Sequence, residues 1–217
     1  MPRRQLRLWL LLATLLLQGA LVAAAAEEVH VRWVPDGDTV RLVDGRWVRL
    51  AGIDAPETGV RDGRPQYYAA EARARLQTLA GAGPLRLDVS ATDRYGRLVG
   101  WLENRDGELL NEVLVAEGLA FVYHHADGTR ALQQRLLAAQ LRAMDAQRGF
   151  WPEILTLPAP AGGWIGNRRS HRFHAPDSPH AGRIAERNRI VFSSTEAAFR
   201  AGHAPARGGF PWPAAQP

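Results

Sequence analysis

Asp36-Gly37-Asp38-Thr39-Val40-Arg41-Leu42 and, after a short turn, Val48-Arg49-Leu50-Ala51-Gly52-Ile53-Asp54-Ala55-Pro56-Glu57 decide how the rest of the chain reads. Val40 and Leu42 alternate with Thr39, Arg41 and Val43 and run into Asp44-Gly45, which suits a tight two-residue hairpin turn. Trp47, Val48, Leu50 and Ile53 carry the return strand. A hairpin brings its ends together, so Asp38 at the start of one strand is expected near Asp54 at the end of the next. The stretch holds four carboxylates, Asp36, Asp38, Asp54 and Glu57, with Arg49 among them. Acidic oxygens converging without cysteine or an adjacent histidine suit a hard cation such as Ca²⁺.

Working outward, the 217 residues allow one domain of ordinary size plus extras. There is no cysteine, which excludes disulfides and thiolate metal sites. All 27 basic residues are arginine. Arginine keeps its charge and grips phosphate bidentately, but a uniform preference also follows from genomic base bias, so position rather than abundance is the evidence. Arg3, Arg4 and Arg7 precede an apolar run from Leu8 to Leu17 and a small-residue end at Ala23 to Ala26. That order describes an export signal over residues 1–26, cleaved near Ala24 to Ala26, and the alternative is an uncleaved membrane anchor. The mature chain is therefore expected outside the cytoplasm, periplasmic or secreted. Residues 27–163 carry 16 arginines against 19 acids, net −3, and residues 164–217 carry 8 against 3, net +5. The core thus has no general basic patch, and binding there must rest on placed arginines.

Val29, Val31 and Trp33 alternate with His30, Arg32 and Val34 as an amphipathic first strand. Helical spacing marks Gln66 to Ala80, stopped by Gly81-Ala-Gly-Pro84. Leu85, Leu87 and Val89 give a fourth strand, and Leu98 to Leu102 a fifth. Leu110 to Leu119 and Thr129 to Arg148 read as helices. Five strands and about three helices predict a mixed α+β chain built mainly on a β barrel of the OB type, over residues 27–155. A Pro/Gly linker (156–163) and a small basic C-terminal module (164–217) follow.

Asp-Gly-Asp-Thr-Val, Arg-Leu-x-Gly-Ile-Asp-Ala-Pro-Glu, Asp93-Arg-Tyr-Gly-Arg97 and Asn111-Glu-x-Leu-Val-x-x-Gly-Leu-Ala120 occur in this order. Together they resemble the staphylococcal nuclease (thermonuclease) family, over roughly Val29 to Glu153. The resemblance implies an enzyme hydrolysing phosphodiester bonds of DNA and RNA with Ca²⁺, leaving 3′-phosphate ends. It implies Asp38, Asp54 and the backbone carbonyl of Ala55 as Ca²⁺ ligands, with Asp36 acting through water. Relatives often have threonine at the Ala55 position, a change that a main-chain ligand tolerates. Glu57 matches the family's general base, and Arg49 and Arg97 match the phosphate clamp. Asp93 braces the Tyr95 to Arg97 turn. Tyr95 and Tyr123 match substrate-binding rings, while Phe121 reads as a core aromatic.

The tail resembles, in degenerate form, a small metal-binding module appended to some bacterial members of that family. Its cysteines are absent here, where Ser178, Ala206 and Gly209 stand near their places. A zinc site from His171, His174, His180 and His203 alone is the residual alternative. Apolar Ile190, Phe192 and Phe199 offer another way of holding its shape, and its charge another use, holding nucleic acid. The expected partner is nucleic acid as substrate, with the protein a monomer, no obligate protein partner and no stable membrane insertion if the signal is removed. The rival readings are a non-catalytic OB-fold nucleic-acid-binding protein and an envelope interaction protein whose tail docks a partner. A pure binder has no need for the carboxylates and two arginines standing together.

Overall fold

The computed structural model describes residues 26–59, 65–124, 129–206 and 209–213. The export segment at residues 1–25, most of the loop after Thr58, and His125 lie outside them. Among the described residues no helix is long and apolar enough to cross a membrane.

The elements in chain order are β1 (Glu27–Val29), β2 (Val31–Asp36), β3 (Thr39–Leu42), β4 (Trp47–Leu50), β5 (Ile53–Asp54), α1 (Ala69–Gly81), β6 (Leu85–Thr92) and β7 (Leu98–Glu103). Then come α2 (Leu110–Ala116), β8 (Phe121–Val122), α3 (Arg130–Asp145) and α4 (Trp151–Thr156). The tail supplies β9 (Trp164–Asn167), β10 (Arg172–His174), β11 (Arg189–Phe192), α5 (Thr195–Arg200) and β12 (Ala204–Pro205).

Six strands pair in the order β1-β6-β7-β4-β3-β2, with β4 and β7 parallel and the other pairs antiparallel. The two edges of this sheet, β1 and β2, are consecutive in the chain and separated only by His30. One continuous strand therefore pairs with β6 at its start and with β3 at its end, so the sheet curls round and closes on itself. Counted that way the five expected strands are all present, in the OB-type barrel of the mixed α+β class. Its interior is filled by Val40, Val48, Leu50, Ile53, Leu87 and Leu102, all essentially inaccessible.

Two local expectations need correction. Trp33 does not share an inward face with Val29: it is 48% exposed, edge-on to Trp47, and Val34 is buried instead. A register shift between Val31 and Trp33 inserts a bulge, which exchanges the faces of the strand. The hairpin turn has three residues, Val43-Asp44-Gly45, because Leu42 N–H donates to Arg46 O at 2.9 Å and Gly45 takes φ +92°. The same closure recurs at Arg94-Tyr95-Gly96 and Arg105-Asp106-Gly107.

The expected helices exist with shifted ends. The first starts at Ala69 because Tyr68 takes a left-handed φ of 65°, and the third starts after Thr129, whose hydroxyl caps Leu132 N–H. The second ends at Ala116, before Gly118 at φ +69°. Helix α4, with Pro152 in its first turn, was not expected. It is placed by two touching glycines: Phe150 N–H donates to Gly118 O at 3.0 Å, and a Cβ on Gly149 would lie 2.1 Å from that same oxygen.

A second core joins the barrel's C-terminal helices to the tail. Phe121, Phe150, Trp151 and Ile154 pack with Trp164, Phe173, Phe192 and Phe199. Buried Gln140 on α3 ties the two polar frameworks together. Its Oε1 accepts from Val122 N–H and its Nε2 donates to Phe199 O, both at 2.7 Å. At the same junction His124 from the barrel stacks on His171 with ring centroids 4.0 Å apart, and His171 lies 5.0 Å from His203.

Burial, more than the neighbouring His171, His124 and Arg168, pulls the pKa of His203 down to about 4, against a hydrogen bond to Ala201 O that favours the proton. His124 and His171 are also lowered, chiefly by burial. An unfolded histidine titrates near 6.5, so between there and about pH 4 the unfolded chain takes up a proton that folded His203 does not, and the lowered His124 and His171 act in the same direction. The stability that His203 contributes above pH 6.5 is therefore expected to be lost between pH 6.5 and 4. Because Asp36, raised to about 7, acts in the opposite direction over that range, the measurement is the urea-unfolding stability of the protein minus that of His203→Gln, which should fall as the pH falls. Gly149→Ala is expected to cost at least about 2 kcal/mol, since a side chain there is both left-handed and in contact with backbone. The urea midpoint of that variant measures it.

Candidate active site

The barrel delivers six of the nine predicted residues to one cleft, with Asp54 reaching it through Arg49. Asp36 ends β2, Asp38 closes the Gly37-Asp38 turn, and Thr39 pairs with Arg49 across β3 and β4. Gly37 is required by close packing: a Cβ there would lie 2.6 Å from that of Ala72 on α1 and 2.7 Å from that of Ala55. Asp36, Asp38, Thr39, Arg49, Glu57, Tyr95 and Arg97 line a single cleft of about 250 Å³.

Its centre is a buried ion triad. Arg49, 6% exposed, places Nη1 3.0 Å from Asp38 Oδ2 and Nη2 2.5 Å from Asp54 Oδ1, and also donates to Leu50 O at 3.1 Å. Asp38 is anchored further by Ala55 N–H on Oδ2 at 2.7 Å and by the Thr39 hydroxyl on Oδ1 at 3.1 Å. Its own carbonyl accepts from Leu50 N–H at 2.8 Å. The expectation that Asp38 and Asp54 are brought together is met, through the guanidinium between them. Burial opposes the charge on Arg49, but Asp38, Asp54, Asp36 and Glu57 outweigh it and raise its pKa. Asp36 feels the opposite balance: burial first, then Asp38, push its carboxyl up to about 7 despite the Asp38 N–H that it accepts.

Arg97 is held differently. Asp93 accepts from Tyr95 N–H, from Arg97 N–H and from Arg97 Nε at 2.8–3.0 Å. Burial disfavours the Asp93 charge, yet these bonds, those from Arg97 foremost, keep its pKa low. Only Nε of the Arg97 side chain is engaged; among the described residues its two terminal nitrogens have no hydrogen-bond partner. The Tyr95 ring, 64% exposed, lies 5.6 Å from the Arg97 guanidinium. Glu57 is fixed through its backbone, donating N–H to Gln66 Oε1 at 2.8 Å and accepting from Gln66 N–H at 3.0 Å.

Tyr123 does not line the cleft. Its N–H donates to Gly52 O, and the Arg172 guanidinium from the tail covers its ring, 3.2 Å from the centroid. Phe121 is a core aromatic, between Phe150 and Phe199. The four tail histidines do not converge: His171 meets His203, and His174 meets His180. Asn111, quoted in a motif but given no role, is fully buried. It donates to Ala51 O and accepts from Leu102 N–H, so it fixes α2 to the barrel behind the site.

The donor chemistry fits a hard divalent cation: the cleft offers carboxylate and hydroxyl oxygens and neither thiolate nor imidazole. The side chains are nonetheless closed on Arg49, and among the described residues no three His, Asp or Glu side chains form a ready metal cage. Removing the guanidinium leaves buried carboxylates uncompensated. Arg49→Leu should therefore lose about 3–5 kcal/mol in urea unfolding without divalent cations, whereas Arg97→Ala should lose about 1 kcal/mol or less.

Residues 47–153 match the family model described as staphylococcal nuclease homologue, a span that begins after Asp36 and Asp38 and ends before the tail. The chain is 29% identical over 147 residues to an "Uncharacterized endonuclease" of Escherichia coli, covering 65% of this chain and 87% of that protein. It is 35% identical over 101 residues to a "Micrococcal nuclease" of Shigella flexneri, covering 42% of this chain and 55% of that protein.

Proposed function

We propose that this chain, a member of the staphylococcal nuclease homologue family through residues 47–153 and so a phosphodiester-cleaving endonuclease, is an exported Ca²⁺-dependent enzyme acting on both DNA and RNA. The observation that carries the reading is one cleft uniting Asp36, Asp38, Glu57, Tyr95 and two arginines in different states of engagement.

Asp38, Asp54 and the Ala55 carbonyl would hold Ca²⁺, with Asp36 assisting through water, and the bound ion supplies positive charge against the phosphate. Arg97 presents two uncommitted nitrogens, the fork that a phosphate accepts bidentately. Arg49 sits against the same cleft and adds charge as negative charge builds on the phosphorus oxygens. Glu57, set after Pro56 with its backbone pinned by Gln66, would take the proton of an attacking water, and departure of the 5′ oxygen would leave a 3′-phosphate. Tyr95 offers a stacking ring indifferent to base identity, consistent with low sequence specificity. Tyr123, covered by Arg172, takes no part in the cleft chemistry. Export rests on the arginine-led apolar N-terminus, and the enzyme is taken as a monomer.

Digestion of denatured DNA and of RNA by the purified protein tests this. Calcium should support cleavage, EGTA abolish it, and Arg97→Ala reduce the rate by roughly 10²–10³-fold, with 3′-phosphates on the products. Persistence in EGTA, or indifference to the substitution, defeats the mechanism.

A further inference from the structure

A second cleft, of about 400 Å³, lies in the tail. Asn167, Arg169, His174, His180, Arg183, Ile184, Ala185, Arg187 and Asn188 line it. We propose that this cleft is a phosphate-binding exosite, which holds the backbone of the nucleic acid that the barrel cleaves.

Five of its lining residues are cationic or able to become so, and none is acidic. Arg169, Arg183 and Arg187 are exposed, and among the described residues none is in an ion pair. Of the module's three acids, Glu196 pairs with Arg200, Asp177 is not a lining residue, and Glu186, on the rim turn between Ala185 and Arg187, does not line the cleft itself. Unpaired guanidiniums facing one concavity repel one another, an arrangement that an anion relieves. His174, also in the lining, is held below its ordinary pKa by burial first, then by His180 and the nearby Arg172.

The cleft is also built rather than incidental. Ile165, Ala181 and Ile184 form a small buried cluster beneath it. Short 3-10 turns at Ala181–Arg183 and Glu186–Asn188 set its rim. Arg168 N–H donates to Asn188 O at 2.8 Å, and Asn167 Oδ1 accepts from Arg169 N–H at 2.9 Å, which locks the rim to the β9 turn. The volume admits a phosphate with its sugar. An electrostatic need exists as well: residues 27–163 are net −3, so capture of a polyanion falls to the tail at net +5.

The proposal rests on the nuclease reading, and binding separates the two. Anisotropy of a labelled 30-nucleotide single-stranded DNA, measured with the full chain in EGTA, should show about tenfold weaker binding for R183A/R187A and a salt slope lower by about 2. Arg169→Ala, another exposed position, should weaken binding in the same direction. With Ca²⁺, KM for the 30-mer should rise more than KM for a dinucleotide. Unchanged affinity in both variants overturns the exosite even where cleavage proceeds. Poly-aspartate of matched charge displacing DNA as well as a phosphate polymer overturns its phosphate preference. A chain that never cleaves yet loses DNA in R183A/R187A overturns the nuclease reading and upholds the exosite.

Discussion

A guanidinium buried between two carboxylates is the constraint on which the site depends. Arg49 lies on β4, Asp38 before β3 and Asp54 on β5, so one side chain spans the mouth of the hairpin and the start of the next strand. Taking three charges out of water is costly, and further bonds to two of them support the arrangement: Ala55 N–H and Thr39 on Asp38, Leu50 O on Arg49. The interior of the barrel below, from Val40 to Leu102, supplies the apolar burial that holds those donors in place. Position has been favoured over cheapness. A hydrophobic replacement would pack with less desolvation, but it would leave no charged groups at the cleft.

The two arginines of the cleft illustrate how one residue type takes two states. Arg49 is fully committed to carboxylates, and Arg97 is committed only at Nε, with Asp93 acting as a fixed hinge for its turn. Arg97 therefore keeps its two terminal nitrogens open to an anion, whereas both terminal nitrogens of Arg49 are occupied. Asp36 is raised to about 7 by burial first and then by Asp38. The acidic cleft and the basic tail are therefore complementary: one is poor at attracting a polyanion and the other lacks any acidic cluster for chemistry.

Much of this was legible in the sequence because the signals were local. Alternation at Val40 and Leu42, the Asp-Gly turn and the spacing from Asp38 to Asp54 fixed the hairpin and its pairing of carboxylates. Trp33 misled because a bulge changes which face a strand presents without leaving a mark in an apolar alternation. Gln140 was invisible for another reason: a glutamine inside a helix reads as surface until a distant carbonyl, Phe199 O, is brought to it. The tail cleft was hidden likewise. Arg169, Arg183 and Arg187 follow no period, and only irregular turns bring them together.

The shared core alters what the tail's removal can mean. Truncation at Gly163 would strip Phe173, Phe192 and Phe199 from Phe121 and Trp151, and would uncap Gln140 on the helix that holds β8. Strand β8 pairs with β5, the strand that carries Asp54. A path of contacts thus runs from the tail to a carboxylate of the active cleft, and loss of activity on truncation would follow from exposed aromatics alone. Separating the tail's support of the fold from any grip on substrate requires substitutions at exposed arginines, which contribute nothing to that core. The distinction is physical: aromatic burial stabilises through area removed from water, whereas a cationic cleft acts through charge that salt screens.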